Sequence, residues 1–165
     1  MAKNIDSKAE KRLVELLEPL ATNEWFTESS LKDVRFIRSN KCNPRSPSAY
    51  EPSIVIVAQG RKLGYLGDEV YTYDPYNYLV LSVPLPLECE TVASPQEPLL
   101  AVSISVDANT VSELLLEMDD SSSLSGSVPR GIYSTPLTDE LICATVRLLE
   151  CINNPLDARM LGPQI

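Results

Sequence analysis

The chain has 165 residues, a formal net charge of −9, four cysteines and no histidine. This length fits one domain with a sizeable hydrophobic core. Without histidine, catalytic triads that use an imidazole base and metal sites built on imidazole ligands are excluded. Because phosphate backbones select clustered Lys and Arg, a chain this acidic is not expected to bind DNA itself.

The sequence also predicts a reduced, cytoplasmic protein with no membrane partner. Residues 1–6 contain no apolar signal segment, and no apolar run reaches the roughly 20 residues that span a bilayer. Cys143 and Cys151 fall eight residues apart on one predicted helix, which separates them by about 12 Å. A disulfide requires Cα atoms within about 7 Å, so these two cysteines cannot pair within that helix, and we expect reduced thiols.

A helix is predicted at the N-terminal end, over residues 4–22. Ser7 and Glu10 have the spacing of a capping box. The apolar residues that follow recur at helical period and form one stripe: they are Leu13, Leu16, Leu17 and Leu20. The sequence leaves two roles open for this stripe, docking on the rest of the domain or contact with a partner.

The centre of the chain reads as a series of short β-strands bounded by Gly, Pro, Asp or Asn. Strands are predicted at 34–38, 54–57, 62–67, 69–73, 78–83, 87–92, 99–107 and 128–134, with a hairpin turn at Gly67 and Asp68. The proline-rich segment 41–52 is predicted to be an irregular loop, either a plain connector or a lid across a barrel mouth. Closely spaced strands separated by turns favour an antiparallel barrel over about residues 30–107.

Two of these strands indicate which side chains are buried. Residues 54–57 are continuously apolar, which is typical of a strand buried on both faces. Residues 99–107 alternate instead, so we expect the face that carries Leu100, Val102, Ile104 and Val106 to lie in a core.

Two helices are predicted after the last long strand, over residues 108–118 and 138–153. Between them lies a serine-rich segment of low complexity, 119–127. Thr138 is a good N-cap for the second helix, and Asp139 and Glu140 lie favourably near its positive end. Its apolar face consists of Leu141, Ile142, Thr145, Leu148, Leu149 and Ile152.

No motif in the sequence indicates catalysis. The glycine patterns of phosphate-binding loops and the Gly-x-Ser-x-Gly elbow are absent. Cys89 lies between Glu88 and Glu90, so it lacks the positive surroundings that lower a thiol pKa. We therefore predict no catalytic residue, no metal site and no cofactor.

Several short motifs, taken in order, resemble the N-terminal regulatory domain of bacterial AraC-type transcriptional regulators. They are Val57-Ala58-Gln59-Gly60-Arg61-Lys62, Tyr71-Thr72-Tyr73, Leu85-Pro86 and Ala93-Ser94-Pro95-Gln96-Glu97-Pro98. The resemblance covers about residues 35–165. It implies a mainly β fold with flanking helices, in which a cupin-like double-stranded β-helix, or jelly-roll barrel, carries N- and C-terminal α-helices.

The resemblance further implies a sensor and dimerisation domain that binds a small effector in its barrel. DNA would be bound only by a C-terminal domain with two helix-turn-helix units, which lies outside these 165 residues. In such a protein the helices after the barrel form the dimer interface. The homodimer residues we predict on the second helix are Leu141, Thr145, Leu148, Leu149 and Ile152.

A high density of tyrosine between residues 65 and 78 suggests where the effector binds, because a phenol offers both apolar area and a polar group. The predicted effector-binding residues are Gln59, Lys62, Tyr65, Tyr71, Tyr73 and Tyr78. Ordinary packing of these tyrosines is the alternative for this cluster. Two alternatives for the whole domain also stay open: a metal-free cupin enzyme of the sugar epimerase or isomerase type, and a dimerisation module whose barrel is filled.

Overall fold

The structure is a computed structural model that describes residues 7–107, 109 and 131–161. Its elements, in chain order, are α1 (Ser7–Leu20), β1 (Trp25–Glu28), β2 (Val34–Ser39), β3 (Asn43–Tyr50), β4 (Ser53–Gln59), β5 (Arg61–Leu66), β6 (Glu69–Tyr73), β7 (Asn77–Leu81), β8 (Leu85–Val92), β9 (Leu99–Ser105), β10 (Ile132–Pro136), α2 (Asp139–Asn153) and α3 (Pro155–Leu161). The helix predicted over 108–118 falls outside the described residues except for residue 109, as does segment 119–127.

The strands form two antiparallel sheets that face each other. Sheet A has six strands in the order β1-β2-β9-β4-β7-β10, and sheet B has four in the order β3-β8-β5-β6. The chain passes between the two sheets several times, and one of these passages, from β4 to β5, is at Gly60. This confirms the predicted fold class, a cupin-like double-stranded β-helix with helices packed outside it.

Sheet A separates two hydrophobic cores. Its inner face, which includes Val55, Val57 and Leu79, packs against sheet B inside the barrel. Its outer face, which includes Ile56 and Val102, packs against α1 and α2. The continuous apolar run of β4 is therefore buried on both faces, as predicted, because alternate side chains enter different cores.

The stripe on α1 docks on the chain's own domain. Leu13, Leu16 and Leu17 are buried in the outer core together with residues of α2. Arg12 adds an exposed ion pair with Glu150 of α2, at 3.0 Å. Of the two roles that the sequence left open for this stripe, the structure therefore supports docking.

The prediction of an irregular loop over 41–52 was wrong. Residues 43–50 form β3, which pairs with β8 with one irregularity between Asn43 and Ser46. Strand β3 lies at the edge of sheet B, and prolines are tolerated on edge strands because one side of such a strand forms no ladder hydrogen bonds. Pro44 and Pro47 therefore do not prevent the strand, and this segment carries Tyr50 to the inside of the barrel.

Candidate functional site

Lys62 lies inside one end of the barrel. Side chains of β5 alternate between the two faces of sheet B. Lys62 lies on the inner face, the same face as Gly64. The Lys62 side chain is buried, with 6 % of the residue exposed. In the strand register it lies beside Tyr73 of β6 and Thr91 of β8, which are both buried as well.

A chain of hydrogen bonds runs inward from the Lys62 ammonium. Its Nζ donates to the Tyr50 hydroxyl at 2.9 Å, and the Tyr50 and Tyr73 hydroxyls lie 3.0 Å apart. The Tyr73 hydroxyl donates a longer hydrogen bond to Sγ of Cys89, at 3.8 Å. These partners of the lysine are all uncharged in their ordinary state at neutral pH.

Three aromatic rings surround the same ammonium. Its Nζ lies 5.9 Å from the centre of the Trp25 ring, 5.6 Å from that of Tyr50 and 6.0 Å from that of Tyr73. Ring faces attract cations at these distances. None of the ion pairs formed among residues 7–107 and 131–161 includes Lys62, so within that part of the chain the lysine is buried without a carboxylate.

Burial shifts the pKa values of Lys62 and Tyr73 towards the neutral forms of these two groups. It lowers the pKa of Lys62 from its ordinary value of 10.5. It raises the pKa of Tyr73, and the proximity of Tyr50 and Cys89 raises that pKa further. The site presents the Lys62 amine as a donor, with two hydroxyl groups beside it, in a dry and aromatic environment. Such an arrangement favours a ligand that brings hydrogen-bond acceptors or negative charge.

The structure brings together only two of the six predicted effector residues, Lys62 and Tyr73. Tyr71 packs against the same interior two residues away along β6, and its hydroxyl bonds to Glu69. The Gln59 side chain donates to the Pro98 carbonyl at 2.9 Å. This bond joins the end of β4 to the start of β9, where Gln59 stabilises the corner between the sheets.

Tyr65 and Tyr78 lie outside the barrel interior. The Tyr65 ring stacks on Arg45, with the guanidinium 4.1 Å from the ring centre, and its hydroxyl donates to Glu90 at 2.8 Å. Tyr78 packs against the outer core beneath the helices. Ordinary surface and core packing therefore accounts for both of these tyrosines.

Two residues of the site, Trp25 and Tyr50, were missed by sequence reasoning. Tyr50 was assigned to a loop, and Trp25 lies in β1, a strand that was not predicted. Trp25 is the only tryptophan in the sequence, and its strand of four residues is too short to give a periodic signal. The contacts depend on sheet packing, because Trp25 and Lys62 are 37 positions apart.

The five predicted dimerisation residues lie on the face of α2 that packs against the outer core. Thr145, Leu148, Leu149 and Ile152 are buried, and Leu141 packs against the same outer core. The apolar face of α2 is covered by α1 and sheet A, which physically explains its periodicity. A dimer interface on α2 would have to use another face, and the dimer itself stays a prediction.

The barrel interior beyond Lys62 is filled by side chains. Val55, Leu79, Leu81 and Leu99 are each 1 % exposed or less. Among the described residues, a groove of about 890 Å³ lies between α1 and α2 and is lined by residues such as Arg12 and Cys143. A cleft of about 500 Å³ lies at Gly60 and Asp74. A ligand of the Lys62 site would therefore occupy the end of the barrel.

Two further observations concern only the described residues. No group of three or more acidic or cysteine side chains among them is arranged to hold a metal ion. No helix among them is long and apolar enough to cross a membrane.

Comparison with solved structures shows a similar fold in ToxT from Vibrio cholerae. One ToxT structure, in a P21 crystal form, matches with a TM-score of 0.50 and 10 % identity over 76 % of this chain and 48 % of that one. A second, of ToxT from strain SCE256 bound to an unsaturated fatty acid, matches with a TM-score of 0.47 and 11 % identity over 75 % and 48 %. At these identities the likeness shows the fold alone, and the chain spans about half the length of the ToxT chains.

No curated protein matches the chain in sequence. The family model of the AraC-type transcriptional regulator N-terminus matches residues 30–165, which include β2 to β10, α2 and α3 but neither α1 nor β1. The motifs, the fold and this match agree, and the chain belongs to the family of AraC-type transcriptional regulator N-terminal domains.

Proposed function

We propose that this domain senses a small anionic effector for a transcription regulator, and that Lys62 binds the anionic group. The observation that carries the proposal is the Lys62 ammonium, buried among neutral hydroxyl groups and aromatic rings without a carboxylate among the described residues. A buried charge of this kind is costly. A ligand carboxylate or phosphate would remove that cost by pairing with it.

The apolar interior next to Lys62 further limits the ligand. Leu87 and Cys89 are buried on β8 beside the Tyr73 ring, so the part of the ligand that follows its anionic group would meet apolar side chains. A carboxylate with an apolar tail matches the chemistry of these surroundings. To regulate transcription, such a ligand must bind one arrangement of the whole regulator better than another.

Straight-chain carboxylates, compared with the alcohols of the same length, test this proposal directly. We expect the carboxylates to raise the melting temperature of the purified chain and the alcohols to leave it unchanged. Ligand present at about 100 times its Kd stabilises a protein by about 2.7 kcal/mol. The shift should disappear in Lys62→Met and persist in Lys32→Met, which removes an exposed lysine. Equal shifts in the two variants, or none in the wild type, would contradict the proposal.

A second candidate function is dimerisation alone, and the filled barrel favours it. If no carboxylate binds, the chain would serve to hold two regulators together, without an enzymatic role. Leu156 and Met160 lie one helical turn apart on α3 and are 72 % and 75 % exposed. We propose that a homodimer uses this pair. Sedimentation equilibrium should then show a dimer that Leu156→Glu weakens.

A cytoplasmic location is part of the same proposal, because a transcription regulator acts where the DNA is. DNA contact would be made by a helix-turn-helix domain outside these residues. The acidic charge of this domain agrees with that division of roles.

A further inference from the structure

Trp25 has an unusual backbone conformation. Its φ is 72°, and it is the one non-glycine residue with a positive φ among the described residues. A bulky side chain rarely adopts this left-handed conformation, because Cβ approaches the following carbonyl. Such an outlier persists only where the surrounding structure holds it.

The preceding residue provides that hold. The Glu24 carboxylate accepts hydrogen bonds from the Ser39 hydroxyl and the Asn40 side-chain amide, each at 2.8 Å, and from the Asn40 backbone amide at 3.2 Å. Partial burial by itself would raise the pKa of Glu24, but these hydrogen bonds outweigh it and lower the pKa. These hydrogen bonds favour the ionised carboxylate and join the start of β1 to the end of β2.

This fixed turn directs the indole over the buried lysine. The Trp25 ring centre lies 5.9 Å from Nζ of Lys62, and Trp25 itself is 39 % exposed. One side of the ring therefore faces the ammonium while part of the residue remains in water. Phe26, the next residue along the strand, contacts Arg35 instead and is 54 % exposed.

We propose that Trp25 covers the Lys62 site in the ligand-free protein and that an anionic ligand enters by displacing the indole. This inference rests on the proposed function for the identity of the ligand. The ligand would replace the attraction between the ring and the ammonium by a direct ion pair.

Chemical acylation of lysines tests, without a ligand, whether the Trp25 indole covers Lys62; this shielding is called the cover below. The full chain is treated with a limiting amount of acetic anhydride, and the modification rate of each lysine is mapped by mass spectrometry. We expect the rate at Lys62 to rise several-fold in Trp25→Ala and in Trp25→Gly, and to stay at the wild-type value in Phe26→Ala. Glycine adopts a positive φ without strain, so Trp25→Gly retains the fold if Trp25→Ala does not.

Fluorescence tests the displacement, since Trp25 is the only tryptophan. We expect decanoate to shift the indole emission to longer wavelength in the wild type, and decanol to leave the emission unchanged. Unchanged acylation of Lys62 in both Trp25 variants would overturn the cover, even if decanoate binds. Faster acylation without decanoate binding would instead overturn the proposed function and the displacement, and leave only the cover. Decanoate binding with no change in emission would overturn the displacement alone.

Discussion

The Tyr50 hydroxyl lies 3.0 Å from the Tyr73 hydroxyl, although the two tyrosines end opposite edge strands of sheet B. Neighbouring strands are about 4.8 Å apart, so the edge strands β3 and β6 are separated by three such spacings. Two long side chains cross this gap over the inner face of the sheet. Their hydrogen bond therefore joins the two edge strands of sheet B beside Lys62.

Tyr73→Phe should therefore destabilise the domain, while Tyr65→Phe should not. Tyr73 is fully buried, and the substitution removes its hydrogen bond to the Tyr50 hydroxyl. Losing this buried partner costs about 1–2 kcal/mol of the free energy of unfolding. Tyr65 bonds to Glu90 on the outer face of sheet B, and water can replace that bond. Urea denaturation measures both variants. Equal losses would mean that the buried hydroxyl pair contributes no more than a surface contact.

Lys62→Met should retain the fold and increase the free energy of unfolding by about 1 kcal/mol, since it replaces a buried unpaired charge by an apolar chain of similar length. Its partners, Tyr50 and Tyr73, still bond to each other. A loss of stability of the same size would show that the rings and the Tyr50 hydroxyl offset the whole cost of burying the ammonium.

The advantage of Lys62→Met should also depend on pH. Burial lowers the pKa of Lys62 in the folded chain below its ordinary value of 10.5. At a pH between the folded-state pKa and 10.5, the unfolded chain therefore binds a proton that the folded chain has lost. The free energy of unfolding contributed by Lys62 therefore rises with pH across that window. We expect the difference between the two proteins to be largest at neutral pH and to shrink as the pH approaches 10.5.

A pH series of urea denaturations of both proteins measures this difference. The raised pKa of Tyr73 acts in the opposite direction above pH 10, where the unfolded chain loses its phenolic proton first. Because both proteins contain Tyr73, that effect largely cancels when the two are compared. A difference that stays constant or grows with pH would contradict the lowered pKa of Lys62.

Gly60→Ala should destabilise the corner between the two sheets more than Gly67→Ala destabilises the β5–β6 hairpin. Both glycines have a positive φ, 80° and 61°, and an alanine there costs about 1–2 kcal/mol. At Gly60 an added Cβ would also lie 2.9 Å from the Leu99 backbone, whereas nothing lies within 4 Å at Gly67. Thermal or urea unfolding compares the two variants. A larger loss at Gly67 would contradict this account of the corner.

Much of the fold follows from local patterns in the sequence. The alternating and continuous apolar runs predicted β4 to β9, the turn at Gly67 and Asp68 set the hairpin, and Thr138 caps α2 by accepting a hydrogen bond from the Leu141 amide at 3.3 Å. The absence of histidine, read from composition, excludes imidazole chemistry. These features depend on residues close in sequence, so their local chemistry is sufficient to predict them.

Only the tertiary structure decided which partner each face meets. Periodicity showed that α2 has an apolar face. In the structure this face is buried against α1 and sheet A and is not left open for a dimer partner. Periodicity likewise could not separate Tyr73, inside the barrel, from Tyr65 on the outer face. The Lys62 site combines Trp25, Tyr50 and Tyr73, which lie on three different strands. Two sheets must fold over each other before these side chains meet, and no local pattern in the sequence records that packing.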